Sequence, residues 1–172
     1  MVPILVHTKF LLTISQSGMR IIKASFATVA VLFVKMAWGD IIEVSSLDFG
    51  TIAVSQNSTP GQVDVSFTGL VNYTGGIYGI TAPTRGEFFL SNFPSNQSLF
   101  ITSSSIQSTT NSDSTSQDQF TLDSINVPSV ITSDGSGNAT LYVGGVLETS
   151  ADGTNNYVNT RYTISYQISV NY

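Results

Sequence analysis

The chain has 172 residues, with six Lys and Arg, eleven Asp and Glu, one His and no Cys, a formal charge of −5 at neutral pH. Lack of cysteine excludes a disulfide framework, and sparse charge among plentiful Val, Ile, Phe and Tyr excludes the disordered class. An acidic balance argues against nucleic acid and anionic lipid as partners, because both carry dense negative charge.

From Met19 the sequence reads as an export signal. A short basic head, Met19-Arg20-Ile21-Ile22-Lys23, is followed by an apolar run from Ala24 to Val34 and then by Ala37-Trp38-Gly39. Small residues at Ala37 and Gly39, two apart, suit the shallow pockets of signal peptidase, so cleavage is expected after Gly39. The run is about half the roughly 20 residues that a membrane-spanning helix needs, which predicts a helical signal segment and no retained anchor. Residues 1–18 precede this pattern and read as an upstream start, with Met19 as the true one. Membrane contact is then expected only through the signal. Cleavage would leave Arg85 and Arg161 against all eleven acidic residues, a formal −9 without Lys, His or Cys. Residues 40–172 are long enough for one domain with a usable core.

Along that domain, strand signals recur and helix signals do not. Val63-Asp64-Val65-Ser66-Phe67 alternates strictly between Pro60-Gly61 and Gly69. Glu87–Leu90, Ser98–Thr102 and Gln119–Val127 follow, the last with Phe120, Leu122 and Ile125 as core candidates. Ala139–Val143 runs through Gly144-Gly145 into Val146–Glu148, and the paired glycines predict a bulge or bend, not a hairpin turn. Tyr162, Ile164, Tyr166, Ile168, Val170 and Tyr172 share one parity of the closing segment, with Thr163, Ser165, Gln167, Ser169 and Asn171 on the other. That period of two predicts a strand with one buried face. Short strands punctuated by Gly, Pro and Asn predict an all-β antiparallel sandwich. Ser103–Gln117 is mostly Ser and Thr and reads as a long solvated loop.

Catalysis is hard to assemble from what remains. Without His, Cys or Lys, most acid–base, nucleophilic and zinc designs are gone. Asp118 and Asp123 are the nearest approach to a glycosidase pair, but five residues apart on a strand they face opposite ways. Asp134-Gly135 and Asp152-Gly153 read as turns and lack the rest of a calcium-loop pattern. Arg85 and Glu87 predict a local ion pair, and the sequons at Asn57 and Asn72 are unremarkable in so Asn-rich and Ser-rich a chain. No enzyme activity, cofactor or metal is expected.

Three blocks carry a resemblance. Leu47-Asp48-Phe49-Gly50-Thr51-Ile52, Leu141-Tyr142-Val143-Gly144-Gly145-Val146-Leu147 and the closing strand ending Val170-Asn171-Tyr172 are similar, in order, to the motifs of the DUF4402 family of exported bacterial proteins. The resemblance implies an immunoglobulin-like sandwich akin to fimbrial or spore-coat-U-like pilins, exported by a Gram-negative cell to the periplasm, the surface or the medium. It also implies assembly through a periplasmic chaperone and usher and through like subunits, with a missing strand supplied by another chain. On that basis Ile164, Tyr166, Ile168, Val170 and Tyr172 are the expected strand-exchange surface, with Ile41, Ile42 and Val44 as a short donor segment. The competing expectation is a secreted carbohydrate-binding module using residues 103–117 with Tyr73, Tyr78 or Tyr157.

Overall fold

The computed structural model describes residues 3–14, 39–104, 111–112, 120–153 and 157–172. Among them it contains no helix and these strands: β1 (Pro3–Ile14), β2 (Asp40–Ser45), β3 (Asp48–Val54), β4 (Gln62–Val65), β5 (Val71–Thr74), β6 (Ile77–Gly79), β7 (Gly86–Ser91), β8 (Ser98–Ser104), β9 (Asn111–Ser112), β10 (Thr121–Asn126), β11 (Val130–Thr132), β12 (Ala139–Glu148) and β13 (Arg161–Asn171). The apolar run of the expected signal lies outside the described residues.

Two sheets form. One has the order β11-β8-β13-β1-β3-β6, with β9 also on β13; the other runs β2-β7-β12-β4-β5, with β10 also on β12. Every pairing is antiparallel except that of β1 with β13. Phe49, Ile52, Leu99, Ile101 and the buried face of β13 from the first sheet join Val63, Val65, Phe88, Leu90, Leu122, Leu141, Val143 and Leu147 from the second in one core, the arrangement of a β-sandwich.

The two glycine-containing motifs have a physical origin. In Leu47–Ile52, Leu47 and Phe49 are fully buried, and the Asp48 carboxylate accepts the Gly50 N–H at 2.8 Å. Gly50 sits at φ 71°, and a Cβ there would lie 2.5 Å from the Thr81 carbonyl oxygen, so only glycine fits. In the second motif β12 continues through Gly144-Gly145 but changes neighbours: Ala139–Val143 pairs with β7, whereas Gly145–Glu148 pairs with β4. A Cβ on Gly144 would stand 1.9 Å from the Val65 carbonyl oxygen. The backbone of the β4 end is pressed onto β12 there, which is the close approach that strand glycines permit.

Candidate strand-binding slot

β13 buries Tyr162, Ile164, Tyr166, Ile168 and Val170, each 3% exposed or less, while Thr163, Ser165, Gln167, Ser169 and Asn171 stay outside the core. At about 1.5–3 kcal/mol per buried large side chain, this face is one of the main stabilising units of the fold. One edge of β13 carries β8, from Gln167 opposite Ser104 to Asn171 opposite Phe100, with β9 opposite Tyr162 and Thr163. The other edge carries β1, in a parallel ladder from Leu5 opposite Arg161 to Ile14 opposite Val170.

On its far side β1 pairs antiparallel with β3, through Pro3–Ala53, Ile4–Ile52, Leu5–Thr51 and, after an irregularity, His7–Asp48. β3 is otherwise held by β6 and by a two-way backbone bridge between Asp48 and Thr84. Among the described residues β1 is therefore the only link along the sheet order between β11-β8-β13 and β3-β6. Its position is a slot with β13 and β3 as walls and the shared core as floor.

Chemistry at this slot is that of packing and backbone hydrogen bonding. The Tyr166 phenol is held above its ordinary titration range, chiefly because burial disfavours the phenolate and secondly because Glu43 adds a negative charge nearby. Glu43 reaches that region from the other sheet: it stands opposite the buried Phe88 on β2, and its Oε1 accepts the Ser46 hydroxyl at 2.5 Å. At the end where β13 finishes, the half-buried Tyr172 meets the Phe93 ring edge-on, centroids 5.3 Å apart. Gly39 packs on the same ring, where an added Cβ would fall 2.3 Å from Phe93 Cζ.

Of the residues singled out as an exchange surface, Ile164, Tyr166, Ile168 and Val170 thus line one slot wall, and Tyr172 lies at its end. Ile41, Ile42 and Val44 are elsewhere. They belong to β2, an outer strand of the other sheet, where Ile41 is half-buried opposite Leu90 and Ile42 and Val44 are 56% and 59% exposed. The reading missed the β3 wall and β1 itself. Period-two apolar spacing at Ile4, Val6, Phe10, Leu12 and Ile14 is the signal for β1, and it lies in the stretch that reads as an upstream start.

The slot walls coincide with two of the three sequence motifs, Leu47–Ile52 on β3 and the closing strand on β13. The family model for a domain of unknown function, DUF4402, matches residues 40–172. The chain belongs to the DUF4402 family. No curated protein and no solved structure matches it. The DUF4402 domain thus supplies both walls of the slot, while the strand between them comes from residues 3–14, outside the match.

Tyr157 is buried and stacks on Phe120 at 4.1 Å, Tyr73 is half-buried, and Tyr78 is 53% exposed. Most of 103–117 lies outside the described residues. A polar cavity of about 60 Å³ is lined by Val54, Ser55, Gln56, Asn57 and Tyr157, well below the roughly 300 Å³ at which ligand pockets begin. Arg85 lies 3.6 Å over the Tyr142 ring and donates to the Phe67 carbonyl oxygen at 2.9 Å, in place of the expected partnership with Glu87. Asn57 is buried and engaged with Ser150 and Ala151, so its sequon is not displayed, whereas Asn72 is exposed. Asp134 Oδ1 accepts the N–H groups of Ser136 and Asn138 at 2.8 and 2.9 Å, a turn-holding role. Asp123 is exposed on β10, and Asp118 lies outside the described residues.

Proposed function

We propose that residues 40–172 are an incomplete immunoglobulin-like sandwich of an exported, non-enzymatic, pilin-like surface protein, which works by accepting a β-strand from another chain. The observation that carries this reading is the position of β1: an interior strand of the seven-stranded sheet comes from outside the family domain. Without it, β13 and β3 would each present an unpaired edge over an apolar floor, the surface that strand addition uses. On this reading the donors are a periplasmic chaperone during export and a like subunit afterwards. Composition supports the non-enzymatic part, since residues 40–172 contain no His, Cys or Lys.

The test is to produce residues 40–172 alone and to follow amide exchange along β13. Alternate amides of β13 facing the slot should exchange quickly and become protected when a strand peptide is added. A monomer whose β13 amides are all protected without any added strand would refute the proposal.

A further inference from the structure

We infer that residues 3–14 are the resident strand of the slot in the uncut chain, so that the slot is closed in cis against a strand from another chain. This rests on the slot reading above and adds the identity of the occupant.

Three observations carry it. The ladder between β1 and β13 runs without a break from Leu5–Arg161 to Ile14–Val170. Its register also sets most of the apolar residues of β1 opposite buried residues of its neighbours. Val6, Thr8, Phe10, Leu12 and Ile14 stand opposite Tyr162, Ile164, Tyr166, Ile168 and Val170, all buried, and Ile4 stands opposite the buried Ile52. Leu5, His7, Lys9, Leu11 and Thr13 stand opposite Arg161, Thr163, Ser165, Gln167 and Ser169, the parity of β13 outside the core. A slip of one residue would set His7 and Lys9, together with Leu5 and Leu11, opposite the buried parity of β13, so the sequence favours the observed register. Charge agrees, since residues 3–14 carry Lys9 and His7 and no acid, against a domain of formal charge −9.

The third observation is where the strand ends. Ile14 stands opposite Val170, two residues before Tyr172, and Tyr172 and Gly39 pack on the same Phe93 ring. At about 3.3 Å per strand residue, the end of β1 and the first residue before β2 lie at one corner of the sandwich. The 24 residues between them have ample reach, so occupation in cis demands no stretching of the chain. Within 40–172 the segment nearest in character, Asp40–Ser45, is already committed to β7.

The absence of cysteine gives a clean test on the full chain. Lys9→Cys with Ser165→Cys joins registered positions, and adjacent strands lie about 4.8 Å apart, inside the Cα separation a disulfide needs. Lys9→Cys with Ser169→Cys is four residues out of register, about 13 Å further along, and beyond that range. Under mild oxidation the first pair should close to an intrachain disulfide while the second stays as free thiols. A labelled peptide of sequence 3–14 should not bind the intact chain, and should bind once Phe10→Pro removes a ladder donor from β1. Closure of both pairs alike would overturn the inference. No closure with peptide binding to the intact chain would overturn it and leave the slot standing. No closure and no peptide binding, even in the Phe10→Pro chain, would remove the slot as well.

Discussion

Tyr166 offers a direct way to measure how dry the slot floor is. The residue is 2% exposed, and burial, with Glu43 as a second cause, raises its pKa above that of an unfolded tyrosine near 10. The folded protein therefore keeps a proton that the unfolded chain releases. Stability from this group is fully present below about pH 10 and is lost as pH rises further, at up to about 1.4 kcal/mol per unit, until the native phenol also ionises. Between pH 8 and 11.5 that loss amounts to about 2 kcal/mol, a substantial share of a typical 5–15 kcal/mol total. The assay is urea unfolding of the full chain and of Tyr166→Phe at both pH values. Wild type should lose about 2 kcal/mol more than the variant, because the phenylalanine has no proton to release. Contributions of the other tyrosines, including the raised Tyr73, are common to both chains and cancel. Equal losses in the two chains would refute the argument that Tyr166 ionisation is coupled to folding.

Gly144→Ala should destabilise by at least about 1–3 kcal/mol in thermal melting, since the added methyl meets backbone at Val65 and Phe67 that cannot swing aside. Gly145→Ala is the control, with its nearest atoms at 3.1–3.3 Å, and an equal effect of the two would discard the close-approach account of β12. Asp134→Ala should cost about 1–2 kcal/mol by leaving the Ser136 and Asn138 amides without their acceptor; an unchanged denaturation midpoint would mean that the carboxylate does not hold the turn.

How far the sequence revealed this fold depended on whether a segment has one wet and one dry face. β13 was legible because its two parities differ in every residue, and the structure buries Tyr162, Ile164, Tyr166, Ile168 and Val170 accordingly. β12 was legible through its paired glycines, although only the three-dimensional neighbours explain why Gly144 is needed. β5 and β6 were not legible: they are short, mostly exposed edge segments, so Val71–Thr74 and Ile77–Gly79 show no clear alternation. β2 is legible only as a short apolar segment, Ile41, Ile42 and Val44; its place on an outer strand, with Ile42 and Val44 exposed, comes from its pairing with β7. β1 was hidden for a different reason. Its alternation lies before a signal-like stretch, and its partners β3 and β13 are far away in sequence, so nothing local joined them.

The corner at Phe93, where β13 ends and β2 begins, also decides what kind of event a cut after Gly39 would be. While the chain is whole, a tether of this length holds residues 3–14 at an effective concentration on the order of millimolar, and a competing strand at micromolar concentration is outnumbered. After the cut the same contacts remain, but retention becomes a bimolecular equilibrium that dilution erodes. One peptide bond, distant from the β1–β13 ladder in sequence, would then set the competition between an internal strand and an external one.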